Sequence, residues 1–511
     1  MAETKREIER KYEATDETRL PDLTRAPGVS AVQDRGVDEL DAVYYDTADL
    51  RLAAGSLTLR RRTGGGDAGW HLKLPVAPGV RDEIRAPLDD TLPESLAGLL
   101  RSRTLGGEVA PVVRLLSSRA VRHLLDDAGT LLAEVSVDTV LAERLGEDGG
   151  ATASWKEIEV ELADGADPGL LDAVEKRLRK AGVRPSTAPS KLARALAETT
   201  PAPPAADPAT RPPALGEDTA GGRVLAYVRE QVEAIVRYDP AVRRELPDAV
   251  HKMRVATRRL RSAFKTYGKV LDRTVTDPIG EELKWLAGEL GVARDQEVLA
   301  AHLADRVDAV PDTLLLGPVR ARLRVWDAAV GADARRTALA ALDSDRHLAL
   351  LRTLHALVAD PPLRKAAHRD APKVLTKAVG KDYDRLAGRV DRALSLPPGH
   401  ERDLALHGAR KAAKRTRYAA EAATPALGKP VKRFARRIKS VQSLLGDHQD
   451  SVVARETLRT LAIQAHAAGE PAFVWGLLYG REEALGAALE DRFPEVWKRT
   501  SATKTRAAVG F

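Results

Sequence analysis

The chain has 511 residues, 43% of them hydrophobic and only 4% aromatic, with a net charge of +7 and no cysteine. That length calls for two or three cores rather than one, and the lack of cysteine excludes disulfides, thiolate metal sites and a cysteine nucleophile. The positive balance points to an anionic partner, while a charged N-terminus and the lack of any apolar run of about 18 residues predict neither a secretory signal nor a membrane-spanning helix, which leaves the cytoplasm.

Before residue 199 the apolar pattern has period two. Arg6–Ala14, Ser56–Thr63, Trp70–Val76, Val80–Leu88, Thr130–Leu145 and Trp155–Ala163 alternate between turn residues and predict strands. Pro93–Arg103 and Asp167–Ala181 predict short helices. On a strand, residues i and i+2 share a face. Glu7, Glu9 and Lys11 therefore line one face, as do Arg60 and Arg62, His71 and Lys73, and Arg81, Glu83 and Arg85. The same holds for Glu134, Ser136 and Asp138, and for Glu157, Glu159 and Glu161. One such stripe alone is an ordinary solvated sheet face. Several stripes of mixed sign suit the polar interior of a closed barrel. Such an interior fits an anion bound together with a divalent cation, because carboxylates take Mg²⁺ or Mn²⁺ while Lys and Arg take phosphate oxygens.

Six prolines between Thr199 and Asp218 predict a semi-rigid linker over 199–220. Beyond it the period becomes helical, and no strand is expected. This region contains a repeat. His251, Arg254, Arg258 and Arg261 recur as His407, Arg410, Lys414 and Arg417, 156 residues later. Lys284, Leu290-Gly291, Asp295 and Val298 recur as Lys439, Leu445-Gly446, Asp450 and Val453, 155 residues later. At about 100° per residue, the first set forms one cationic helix stripe, backed by Met253, Ala256, Leu260 and Phe264. Its repeat is backed by Ala409, Ala412, Ala413 and Ala420, and a third helix over Pro430–Leu445 aligns Lys432, Arg436 and Lys439. From Leu404 to Lys439 there are eleven Lys or Arg and one acid, Glu421. A solvated helix interleaves acids with bases, so this stretch reads as an anion-binding surface.

Glu7-x-Glu9-x-Lys11, followed in order by Arg60-x-Arg62, Lys73, Glu83, Arg119, Asp138, Glu159-x-Glu161 and Lys191, resembles the CYTH family of triphosphate tunnel metalloenzymes over residues 1–198. The resemblance implies an α+β domain built on an eight-stranded antiparallel β tunnel. In it Lys11, Arg60, Arg62, Lys73, Arg119 and Lys191 would grip phosphates, with Arg122 as an alternative to Arg119. Glu7, Glu9, Asp138, Glu159 and Glu161 would hold Mg²⁺ or Mn²⁺, and Glu7, Glu9, Lys11, Glu159 and Glu161 would carry the catalysis. Glu157 is expected on the surface at a strand end, outside the site.

The repeated helical elements resemble the CHAD domain over residues 221–505. That resemblance implies an all-α domain of two pseudo-symmetric four-helix bundles flanking a basic pore for inorganic polyphosphate. His251, Arg254, Arg258, Arg261, Lys284, His407, Arg410, Lys414, Arg417, Lys432, Arg436 and Lys439 would contact it, with Asp295 and Asp450 ordering the basic side chains. The combined expectation is metal-dependent hydrolysis of inorganic triphosphate with polyphosphate binding. The alternatives are a non-catalytic, granule-associated polyphosphate-binding protein, a class IV-type adenylate cyclase and a thiamine triphosphatase. Nucleic acid is disfavoured, because no aromatics interleave the cationic stripes for base stacking. The sequence leaves the oligomeric state open.

Overall fold

The computed structural model describes residues 3–146, 150–199 and 215–511. The chain divides into two compact units, Met1–Thr210 and Arg211–Phe511. Most of the expected linker, residues 200–214, lies outside the described residues.

The first unit has eight strands: β1 (Glu3–Ala14), β2 (Ala31–Asp46), β3 (Thr58–Thr63), β4 (Gly69–Ala77), β5 (Val80–Ala86), β6 (Ala110–Leu125), β7 (Leu131–Arg144) and β8 (Thr152–Leu162). They close into a barrel in the order β1-β5-β4-β3-β2-β6-β7-β8. Every neighbouring pair is antiparallel. Closure falls on β1, whose first half pairs with β5 (Glu3↔Arg85) and whose second half pairs with β8 (Glu13↔Glu157). Among the described residues four α-helices accompany the strands: α1 (Arg51–Ala54), α2 (Glu94–Thr104), α3 (Gly169–Lys180) and α4 (Lys191–Thr199). Period-two alternation identifies six of the strands; β2 and β6 carry no such signal.

The alternation turns the barrel inside out relative to an ordinary core. Charged residues point inward, and the apolar faces are covered from outside. Leu59, Trp70, Leu72 and Ile84 pack under Leu96, Leu99 and Leu100 of α2. Val135, Ile158 and Val160 pack under Leu170, Leu171, Val174 and Leu178 of α3. Val113, Val140 and Trp155 pack under Leu192 and Ala195 of α4. At about 2 kcal/mol per buried aliphatic side chain, this outer layer carries the hydrophobic stabilisation that the charged lumen cannot supply.

The second unit is helical: α5 (Ala220–Arg243), α6 (Ala249–Thr266), α7 (Arg273–Asp308), α8 (Val319–Asp343), α9 (Asp345–Ala359), α10 (Ala371–Ser395), α11 (His400–Ala467), α12 (Phe473–Ser501) and α13 (Thr503–Ala507). The repeat is visible in this order. α5, α6, α7 and α8 correspond to α10, the two arms of α11, and α12. Where the first copy breaks between α6 and α7, the second runs on through a bend at Gly428, flanked by Pro425 and Pro430. Thus the helix expected over Pro430–Leu445 is part of the longer second arm of α11. Met253, Ala256, Leu260 and Phe264 are buried, as expected for the back of a cationic stripe. One core joins the two copies: Leu303 and Val307 of α7 and Leu323 of α8 pack with Leu458 and Leu461 of α11 and Trp475 of α12. Among the described residues, no helix is long and apolar enough to cross a membrane.

Candidate functional site

Inside the barrel, the inward faces enclose a cavity of about 200 Å³ lined mostly by charged side chains. Glu7, Glu9 and Lys11 reach it from β1, Arg60 and Arg62 from β3, Lys73 from β4, Arg119 from β6, Glu159 and Glu161 from β8, and Lys191 from the start of α4. Arg119 lines this cavity, and Arg122 does not.

Acids and bases alternate around the wall. Lys73 Nζ lies 2.6 Å from Glu7 Oε2 and 3.7 Å from Glu83 Oε1. Lys11 bridges Glu9, at 3.3 Å, and Glu159. Arg119 forks onto Asp138, with both bonds at 2.8 Å, and reaches Glu159 at 2.7 Å. Lys191 Nζ touches three carboxylates at once: Asp138 at 2.8 Å, Glu157 at 2.7 Å and Glu159 at 2.6 Å.

These contacts set the protonation states. Burial works to raise the Glu159 pKa, but Lys11, Lys191 and Arg119 overcome it and hold the group well below the usual carboxylate range. Glu9 is lowered likewise, burial being outweighed by Lys11 and Lys73. Glu7 behaves oppositely: burial raises it above the ordinary value despite Lys73. Arg62 is pushed down to about 10 by burial and by the neighbouring Arg60. Lys191 is raised, burial being overcome by Asp138, Glu159 and Glu157.

The acids expected to hold metal do not converge on one point. Asp138 and Glu159 do, and the third member of their cluster is Glu157, with the three ligand atoms within 4.8 Å of one another. Glu7 stands on Lys73 and Glu161 on Lys5, each apart from this trio. Glu157 therefore corrects the surface expectation. It is 3% exposed, accepts a hydrogen bond from Trp155 Nε1 at 2.7 Å and belongs to the interior. Its signal was present as the first member of the Glu157-x-Glu159-x-Glu161 stripe. Asp67 also lines the cavity, ion-paired with Arg62. It lies in a glycine-rich loop whose sequence carries no strand phase and gave no signal.

In the helical unit, the two copies of the stripe share one architectural detail. Arg254 donates to Asp295 Oδ1 at 2.9 Å and Oδ2 at 3.1 Å, passing directly over Gly291 of α7. Arg410 passes over Gly446 in the same way, and its Nη2 lies 3.8 Å from Asp450 Oδ1. The Leu-Gly…Asp element thus makes room for the arginine and orders it. Arg417 is neutralised by Glu421 at 2.7 Å. Arg258, Arg261 and Lys414 have no ion-pair partner among the described residues, and the buried Nε atoms of Arg254, Arg258, Arg261 and Arg410 have no hydrogen bond there.

Lys414 is pushed down to about 7 by burial and by Arg410 and Arg258. Burial, with Lys411, Arg410 and Lys414 nearby, also lowers His407. His251 opens the first stripe on α6. The remaining predicted contacts are dispersed. Lys432 is exposed, Arg436 and Lys439 border a separate groove with Arg492 of α12, and Lys284 is exposed beside Glu281, at 3.4 Å.

Comparison with known proteins matches the CYTH domain model to residues 5–196 and the CHAD domain model to residues 226–459. A Mycobacterium tuberculosis protein described as uncharacterized is 40% identical over 493 residues, covering 94% of this chain and 93% of its own. Among solved structures, PptA from Streptomyces chartreusis aligns with 55% of this chain and 99% of its own, at 23% identity and a TM-score of 0.48. The CHAD domain from the plant Ricinus communis aligns with 58% of this chain and 93% of its own, at 26% identity and a TM-score of 0.40.

Proposed function

The chain belongs to the family that joins a CYTH domain to a CHAD domain, and from that premise we propose that its barrel hydrolyses inorganic triphosphate with Mg²⁺ or Mn²⁺ while its helical domain binds inorganic polyphosphate. The observation that carries this reading is the lumen itself, where nine lysines and arginines interleave with acids around one cavity.

Hard divalent cations take carboxylate oxygens, and Asp138, Glu157 and Glu159 supply three in one buried cluster, so the donor set fits such an ion. A bound ion supplies positive charge that offsets the charge developing on phosphoryl oxygens. Lys11, Arg60, Arg62 and Lys73 bind the phosphates and orient them, the work that dominates phosphoryl transfer. Glu7, whose pKa is raised, is the carboxylate best suited to take a proton from the attacking water. Arg119 and Lys191 hold the trio in place.

One observation favours a second reading, a tunnel that binds without cleaving. Lys191 Nζ already contacts all three members of the trio and would have to yield them to an ion. Phosphate release from triphosphate, long-chain polyphosphate, ATP and thiamine triphosphate, each with Mg²⁺ and with Mn²⁺, decides between them. Triphosphate should be the best substrate, and Glu159→Gln should lower its turnover by about 10² or more. Unchanged turnover in that variant sinks the hydrolase reading. Release from none of the substrates favours binding alone.

A further inference from the structure

The loop between β3 and β4, Gly64 to Gly69, places a charge that the proposed hydrolysis does not use. Arg60 and Arg62 lie two residues apart on β3, both facing the lumen, so their Cα atoms are about 7 Å apart along the barrel wall. This short cationic row ends at Arg62. There the Asp67 carboxylate pairs with the Arg62 guanidinium, and Arg85 Nη2 lies 3.7 Å from Asp67 Oδ2. Burial works against its ionisation, but Arg62, His71, Arg60 and Arg85 hold the Asp67 pKa below the usual value, so it is an anion at neutral pH.

The loop is fixed. A Cβ on Gly64 would stand 2.1 Å from the Glu39 carbonyl oxygen of β2, and one on Gly69 would stand 2.5 Å from that of Ala86 at the end of β5. Between them, His71 Nε2 lies 2.8 Å from the Asp67 carbonyl oxygen, while His71 Nδ1 lies 2.9 Å from Glu83 Oε1. With β1 as a ruler, Arg85 pairs with Glu3 at one end and Glu157 with Glu13 at the other. Asp67 therefore sits toward the opposite end of the lumen from Glu157 and Lys191.

We propose that Asp67 sets the length of phosphate chain the tunnel accepts: its fixed negative charge closes the Arg62 end to a further phosphate. This rests on the triphosphatase reading and adds a selectivity residue to it. A chain extended past Arg62 meets a carboxylate held in a partly desolvated wall, where like charges repel more strongly than in water.

The test is the ratio of kcat/KM for inorganic triphosphate over inorganic tetraphosphate, measured on the full chain at low and high ionic strength. The wild type should prefer triphosphate, and Asp67→Asn should shrink that preference about tenfold, chiefly through a lower KM for tetraphosphate. Asp67→Glu, which keeps the charge, should retain most of it. Added salt should change the wild-type preference more than that of Asp67→Asn, because only the former contains the Asp67 repulsion that salt screens. Triphosphate cleavage with an unaltered ratio in Asp67→Asn overturns the inference alone. An equal gain for both substrates also overturns it, making Asp67 a general competitor for Arg62. No release from either substrate by the wild type overturns the triphosphatase reading and this inference with it.

Discussion

At the scale of single residues, charge environment matters more than residue type. Lys414 is a lysine whose pKa of about 7 follows from burial beside Arg410 and Arg258, with Arg254 of α6 and Asp450 of α11 also facing it. Below that value it adds a positive charge to the stripe; above it the charge is lost. Polyphosphate affinity should therefore fall as pH rises from 6 to 8.5, and Lys414→Arg, which stays charged, should flatten the profile. Equilibrium binding across that range checks it. Glu157 teaches the complementary lesson. Its place on the Glu159 face was legible from the i, i+2 rule, yet its role was not, because sequence does not say which members of a stripe meet a neighbour. The structure supplies that neighbour in Lys191, which approaches from a helix, α4, that period-two reading does not detect. Glu157→Gln should loosen Lys191 and lower triphosphate turnover by about tenfold while leaving the fold intact. Steady-state kinetics alongside a thermal melt would separate the two effects.

At the scale of elements, legibility follows from how fully one face is buried. The strands around Arg60, Lys73, Glu83 and Glu159 alternate cleanly because one face is in the lumen and the other under a helix. β2 escapes detection because much of it is exposed on both faces, from Gln33 to Glu39, and because bulges break its register near Asp34 and Tyr44. β6 escapes because Val112-Val113 and Leu115-Leu116 run without alternation. The helical repeat was legible through its cations and its Leu-Gly…Asp element, whose physical reason is Gly291 beneath Arg254. A Cβ at Gly291 would lie 3.1 Å from Arg254 Nη2. Gly291→Ala should therefore displace Arg254 and weaken polyphosphate binding several-fold. Helix propensity, worth about 1 kcal/mol in favour of alanine, should meanwhile keep the domain as stable or more so. A binding isotherm and a urea titration on the same sample would show the opposite signs.

At the scale of the whole molecule, the two compact units each own a core, and we propose that each unfolds independently. Calorimetry should then resolve two transitions, one moved by triphosphate and the other by long-chain polyphosphate. The second shift has a cause already visible in the helical unit. Arg258 and Lys414 lie close enough to repel and have no ion-pair partner among the described residues, so the ligand-free domain carries its own repulsion as a standing strain. A polyanion that relieves it and binds only the native state adds about 2.7 kcal/mol at a hundredfold excess over Kd. On the proposed reading the polymer would then be more than cargo for this domain: it would complete the folded state, and a cell's phosphate reserve would govern how long the protein survives.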